Sequence, residues 1–253
     1  MSPCVDELSE VDYDHSQNAH TEAGAIAGWS RFAEARHIES VLDVGCGRGM
    51  WLSAVTQAGV TDVCGVDGVE ETAETLLFPV ERFHHLNLTQ PFDLGRTFDA
   101  LLCLEVAEHL PATSADTLVQ SLTQLAPIVC FSAAIPSQGG THHVNEQWPA
   151  YWIEKFRQHD YTPVDAIRQR IWNDPRVDYW YCQNLLLFAN AEALANNTVL
   201  QSSIVPQGAD PLPLVHPQLW ARTAAALDNT VDVRCRRVLR RAYHLAKRVV
   251  GRA

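Results

Sequence analysis

Val41-Leu-Asp-Val-Gly45-Cys-Gly47-Arg-Gly49-Met50 is the stretch that decides the fold. Its apolar start, residues 41–44, reads as a short buried strand. Three glycines at alternate positions follow, and residues 50–58 then read as a helix stopped by Gly59. Glycine lets the backbone turn sharply and lets a ligand approach without meeting a Cβ. The start of the helix offers free N–H groups and the positive end of its dipole. A strand, a glycine turn and a helix in that order form half of a nucleotide-type site.

The next strand, residues 63–66, ends at Asp67-Gly68. An acid about 20 residues after the glycine turn, at a strand end, is placed for ribose hydroxyls. A dinucleotide fingerprint reads G-x-G-x-x-G. Here the pattern is G-x-G-x-G, with Asp43 two residues ahead of the first glycine. That acid suits an amino or sulfonium group better than a pyrophosphate. The spacing therefore speaks against a nicotinamide-dependent dehydrogenase, the competing enzyme reading.

Outward from this core, short apolar runs alternate with helical patterns, which predicts an α/β fold with a mostly parallel sheet. Strands are expected at 83–85, 98–104, 128–133, 161–168 and 178–189. Helices are expected at 22–36, 115–126 and 149–159. Residues 136–147 read as a loop pivoting on Gly139-Gly140. Residues 201–217 are polar and proline-containing, like a linker or arm.

Segments of this core resemble the class I methyltransferases that use S-adenosylmethionine. The glycine turn with Asp43 matches that family's first motif. Phe98-Asp-Ala-Leu-Leu-Cys-Leu-Glu-Val-Ala-Glu-His-Leu110 looks like its fourth-strand motif, and Leu86-Asn-Leu-Thr-Gln-Pro91 lies where members bind adenine. The family usually has Asp where this chain has Asn87. The resemblance covers roughly residues 36–190. It implies a Rossmann-like, doubly wound, seven-stranded sheet, mostly parallel, with an antiparallel edge hairpin. It also implies a site in which Asp43, Gly45, Cys46, Gly47 and Gly49 hold the methionine part and Asp67 with Gly68 holds the ribose. Asn87 and Leu88 would flank the adenine, and Cys103 and Leu104 the sulfonium side.

Transfer to a hydroxyl needs a base near neutral pKa, and histidine is the usual choice. Gly139-Gly-Thr-His142-His143-Val-Asn-Glu146-Gln-Trp148, running into Pro149-Ala-Tyr151-Trp152, looks like a stretch found in bacterial methyltransferases of sugars and secondary metabolites. His143 is the expected base, with Glu146 beside it. His109 of Glu105-Val-Ala-Glu108-His109 is the second candidate. No metal ligand is assigned, though an oxygen/nitrogen site from Glu105, Glu108, His109 and a later histidine stays open. Trp148, Trp152, Trp172 and Trp180, with Tyr151, Tyr179 and Tyr181, would suit a sugar ring or would fill an ordinary core.

Composition limits the partners. The 253 residues carry 30 acids and 19 bases, a net charge of −11. The last acid is Asp232, and Arg234 to Ala253 hold eight of the bases. Residues 1–233 thus carry −19 and the tail +8, so the core is no nucleic-acid binder. Apolar positions from Val231 to Val250 fall on one helical face and arginines opposite. This C-terminal helical extension has three open readings: docking on protein, contact with an anionic membrane, or a solvated tail. Seven cysteines without a C-x-x-C pair indicate buried thiols in a reducing compartment. Residues 1–14 are acidic and lack the apolar core of a secretory signal, and no apolar run spans a bilayer. The expectation is a cytoplasmic enzyme, with or without peripheral contact at the inner membrane surface, acting on a small-molecule or glycan acceptor. Its expected parts are a helical lead-in at 1–35, the cofactor-binding domain at 36–190 and an arm at 191–253. The non-enzyme alternative is a cofactor-binding scaffold recruited through its tail.

Overall fold

The computed structural model describes residues 22–33, 37–195, 197–206, 213–228 and 235–241. In chain order these form α1 (Glu22–Ala33), β1 (Ser40–Val44), α2 (Met50–Gln57), β2 (Asp62–Asp67), β3 (Phe83–His85), β4 (Ala100–Leu104), α3 (Ala115–Leu125) and β5 (Ile128–Ser132). Then follow α4 (Pro149–Arg157), β6 (Thr162–Val164), α5 (Arg168–Ile171), α6 (Tyr179–Asn184), β7 (Leu186–Ala189), α7 (Ala191–Ala195), α8 (Thr198–Ser202) and α9 (Pro217–Asp228).

The seven strands form one sheet in the order β3-β2-β1-β4-β5-β7-β6. The pairs through β5 are parallel, and β7 runs antiparallel to both β5 and β6. This is the expected mostly parallel sheet with its antiparallel edge hairpin. Period-two alternation sends successive side chains to opposite faces. Val41, Leu102, Cys130 and Leu187 join α1, α2, α5, α6 and α8 on one face. Leu42, Leu101, Phe131 and Phe188 join α3 and α4 on the other. Both faces are covered, which is why these strands read as continuous apolar runs. The order reverses between β1 and β4, so the ligand-binding crevice lies at the carboxyl ends of those strands.

Two expected strands are shorter than their apolar runs. The segment 161–168 gives only Thr162–Val164, because the buried Arg168 side chain pairs with Asp165 and bonds the Gln183 carbonyl at 3.1 Å. That pairing turns the chain into α5. The segment 178–189 opens as helix α6 and pairs in the sheet only at Leu186–Ala189. Here the tertiary surroundings of Gln183 and Asn184 override the β propensity of Tyr179-Trp-Tyr181. Helix α1 accounts for 22–33 of the expected 22–36, and residues 34–36 lie outside the described residues.

The chain divides into two compact units, Met1–Leu214 and Val215–Ala253. Residues after 190 do not leave the first unit at once: Asp165 N–H donates to Ser203 O at 2.9 Å, Val205 N–H to Pro163 O at 3.0 Å, and Leu200 is fully buried. The second unit contains α9, with Trp220 and Leu227 exposed, and a helical stretch at 235–241 whose seven residues are all exposed. The remaining parts of the expected helix, 231–234 and 242–250, lie outside the described residues, as does most of the lead-in. No helix among the described residues is long and apolar enough to cross a membrane.

Candidate active site

The glycine turn is built as its spacing requires. Gly45, Gly47 and Gly49 have φ of 76°, 50° and 84°, a region that side chains strain. A Cβ on Gly45 would lie 2.2 Å from Val106 Cγ2, and one on Gly49 2.3 Å from Phe78 Cδ1. The Gly45 and Cys46 amides both donate to Val66 O, at 2.7 and 3.1 Å. The turn is thereby fastened to the end of β2.

Asp67 completes that fastening. Its carboxylate accepts from Gly47 N–H at 2.7 Å and from Val69 N–H at 2.8 Å. Carboxylate oxygens have about four acceptor sites, so capacity for ribose hydroxyls remains. A Cβ on Gly68 would meet only Leu86 O, at 3.8 Å, which leaves the space beside Asp67 open. Asp43 is buried below the turn, and burial, aided by the Asp67 charge, pushes its carboxyl up to about 8. A neutral acid there is poised to ionise when a cation arrives.

The other expected cofactor residues occupy the same edge. Asn87 Oδ1 accepts from Thr89 N–H at 3.0 Å and Thr89 Oγ1 at 2.7 Å, forming an Asx turn after β3. Leu88 is buried beside it, and Cys103 and Leu104 end β4 with buried side chains. Burial drives the Cys46 and Cys103 thiols well above their ordinary value, so neither is a nucleophile.

After β4 the chain takes a left-handed step at Glu105, φ 55°. Glu105 N–H donates to Ser132 O at 2.9 Å, and its carboxylate accepts from Gln138 Nε2 at 2.8 Å and Asn184 Nδ2 at 3.1 Å. Gln183 Nε2 donates to Gln138 Oε1 at 3.1 Å and to Asn184 Oδ1 at 2.9 Å, closing a buried amide cluster. Sequence reading missed this cluster. Its one signal is the polar pair Gln183-Asn184 set directly against the apolar run that follows.

The loop after β5 is stitched to residues 107–109. Val144 and Asn145 amides donate to Glu108 O at 2.8 and 3.0 Å. Glu146 organises the loop from within: it accepts from Ser137 N–H and Gly139 N–H, each at 2.7 Å, and pairs with His143 Nδ1 at 2.9 Å. The His143 ring meets the His109 ring edge-on, with centroids 4.8 Å apart. The three residues expected to carry the chemistry are thus brought together. A carboxylate on Nδ1 fixes the imidazole tautomer and leaves Nε2 as the proton acceptor.

Glu108 is fully buried. Its carboxyl lies against the backbone amides of Glu108 and Ala134 and the Glu105 carboxyl. Burial, and then the neighbouring Glu105, raise its pKa well above the usual carboxylate range. Among the aromatics, Trp152 and Tyr181 are buried and Trp148 is exposed. The β alternation expected of Tyr179, Trp180 and Tyr181 gives way to the α6 helix.

A family model described as a methyltransferase domain matches residues 18–173. Ubiquinone biosynthesis O-methyltransferases from two Pseudomonas fluorescens strains, Pf0-1 and Pf-5, are each 30% identical over 127 residues, covering 40% of this chain and 54% of the relative. The chain thus spans about half the length of the curated relatives it matches. The structure of a magnesium protoporphyrin IX methyltransferase from Synechocystis PCC 6803 superimposes with a TM-score of 0.50 at 19% identity, over 67% of this chain and 81% of that one. A sugar N-methyltransferase from Streptoalloteichus gives 0.50 at 16% identity, over 70% and 89%. At such identities these two structures attest the fold alone.

Proposed function

The chain belongs to the methyltransferase domain family, and from that premise we propose that it transfers the methyl group of S-adenosylmethionine to a hydroxyl oxygen of a sugar, glycan or secondary metabolite. The observation that carries the oxygen acceptor is the pair His143 Nδ1–Glu146 Oε1 at 2.9 Å beside His109. A neutral amine is nucleophilic before it loses a proton, whereas a hydroxyl gains most from a base. The cofactor, when bound, supplies a methyl group on an already activated sulfonium.

In this reading the acceptor oxygen attacks the methyl carbon in line. The carbon–sulfur bond breaks with its electron pair left on sulfur, and the hydroxyl proton passes to His143 Nε2. Glu146 stabilises the imidazolium, and His109 supports the ring from its edge. Asp43 faces the methionine ammonium, Gly45, Cys46, Gly47 and Gly49 give it a backbone cradle, and Asp67 with Gly68 takes the ribose. The Asn87 carboxamide and Leu88 flank the adenine, and the Cys103 and Leu104 carbonyls line the sulfonium side. The substrate classes in the relatives' names, a quinone precursor and a sugar, are compatible with a hydroxylated ring docking near the exposed Trp148.

Calorimetry with S-adenosylmethionine, its demethylated product and NADH tests the cofactor, with Asp67→Ala as control. Asp67 makes two charge-assisted bonds, so its loss should cost the first two ligands about tenfold to a hundredfold in affinity. Binding of NADH alone would overturn the assignment. Incubation with labelled cofactor and a panel of phenolic, sugar and amine acceptors then identifies the methylated atom.

The basic C-terminal segment supports peripheral contact with an acidic surface, and the five described buried thiols fit a reducing, cytoplasmic setting. Deletion after Val231, followed by flotation with phosphatidylglycerol vesicles, separates the two surfaces. Flotation that disappears with the tail identifies lipid. Equal flotation removes the tail as a membrane contact and leaves docking on protein or a solvated tail.

A further inference from the structure

The loop after β5 is exposed at Ser137, Gly139 and Gly140, yet Gln138 among them is buried, only 6% exposed. Ser137 and Gly139 on either side of it both take left-handed backbone, with φ of 73° and 69°. Glycine accepts that region freely, but serine is strained there and needs its surroundings to hold it. The amides of the same two residues donate to Glu146, so the chain at 137–139 presents its backbone to Glu146 and sends the Gln138 side chain inward.

That side chain is the fastening. Its Nε2 donates to Glu105 Oε2 at 2.8 Å, and its Oε1 accepts from Gln183 Nε2 at 3.1 Å and from Asn184 Nδ2 at 2.9 Å. One carboxamide thereby joins the loop to the end of β4 and to α6. Glu105 is fixed in turn, its N–H lying 2.9 Å from Ser132 O and 3.1 Å from Ser132 Oγ. The loop is therefore moored to the sheet itself.

A short series of contacts leads from this mooring to the ring. Gln138 fixes residues 137–139, their amides fix Glu146, and Glu146 holds His143 Nδ1 at 2.9 Å. We propose that Gln138 is a positioning residue for His143: it sets where Glu146 holds the imidazole, and so where Nε2 meets the acceptor hydroxyl. The effect on turnover rests on the reading of His143 as base. The competing role is that of an amide that only satisfies the interior. The other bonds of the cluster speak against it. Without Gln138, Gln183 Nε2 keeps Asn184 Oδ1 and Asn184 Nδ2 keeps Glu105 Oε1, so the side of the cluster that belongs to β4 and α6 stays paired. What loses its hold is the loop.

Gln138→Met keeps the length of the side chain and removes its hydrogen bonds. Turnover at saturating cofactor should fall about tenfold, the scale of a small misplacement of a reacting group. Cofactor affinity by calorimetry should stay within about threefold. The ring-nitrogen NMR signal of His143 Nδ1, assigned by its loss in His143→Ala, should move towards that of a free imidazole. In a Glu146→Ala background, where the link from loop to ring is cut, Gln138→Met should cost less than about threefold, because the two residues act on one path. Losses that simply multiply, or an unmoved Nδ1 signal, would overturn the proposal. Gln138→Asn, whose amide falls one methylene short, carries the same readouts if the methionine variant does not fold. Failure of His143 as base is separate: it appears as unchanged turnover in His143→Ala, while the Nδ1 signal still tests the positioning.

Discussion

Glu146 grips the His143 ring through Nδ1 at 2.9 Å while the same carboxylate takes the amides of Ser137 and Gly139 at 2.7 Å each. One side chain therefore sets both the loop and the imidazole. Glu146→Gln keeps the shape but removes the charge that stabilises an imidazolium. Turnover should fall by about a hundredfold or more, in the range typical of lost acid–base support. Cofactor affinity should stay within about threefold, because the residue lies outside the glycine turn. Single-turnover kinetics and calorimetry on one preparation check both; equal losses in both would point to a merely structural role.

Gly140 is small because His143 lies on it. A Cβ at Gly140 would sit 2.2 Å from His143 Nε2. Gly140→Ala should push the ring off its Glu146 bond and lower turnover at least tenfold while leaving cofactor binding intact. A ring-nitrogen NMR spectrum should lose the hydrogen-bonded Nδ1 signal. An unchanged spectrum would show that the ring has another place to go.

On the proposed reading, Asp43 should make cofactor binding pH-dependent. Its carboxyl lies at about 8 in the folded protein against an ordinary 3.8, chiefly through burial and then through Asp67. A raised carboxyl binds a proton in the folded state that the unfolded state has lost. Fold stability from this group is therefore full below about pH 4 and declines between about pH 4 and 8. A cationic ligand reverses the preference, so binding at pH 7 should release close to one proton, and affinity should rise towards pH 8. Calorimetry in buffers of different ionisation enthalpy reads the proton. Asp43→Asn should abolish the release, weaken binding and stabilise the free protein at pH 8.

Phe156 of α4 and Phe188 of β7 stack at 3.8 Å with an interplanar angle of 10°, both fully buried. They tie the antiparallel strand β7 to the helix that follows the loop at 136–148. Phe188→Ala should cost about 3–5 kcal/mol of stability. Denaturant unfolding should show a lower midpoint with an unchanged slope.

Much of this protein was legible because its signals are local. Gly45, Gly47 and Gly49 are dictated by backbone geometry, and Asp67 by a fixed strand length, so both could be read from spacing. The pattern of α3, with Leu118, Val119, Leu122 and Leu125 inward, follows from helical periodicity alone. Tyr179-Trp-Tyr181 misled because local β propensity opposed the helix that burial of Gln183 and Asn184 imposes. The burial of Glu108 could not be read from spacing, because it follows from the loop after β5 being stitched to its carbonyl through Val144 and Asn145.

The sequence by itself determined the sheet, the glycine turn and the acid beside it, since these depend on periods of 2 and 3.6 and on where a Cβ is forbidden. It also pointed to His143, Glu146 and His109 as types of residue able to carry proton transfer. Only the tertiary structure decided how they combine: which nitrogen Glu146 holds, that Glu105 is bound by two amides, and that Glu108 lies buried against two imidazoles. The last two depend on how the loop after β5 and helix α6 pack against the turn after β4, with the Glu105 contacts reaching 33 and 79 residues along the chain, and burial and hydrogen-bond satisfaction between such residues are not written in any local window.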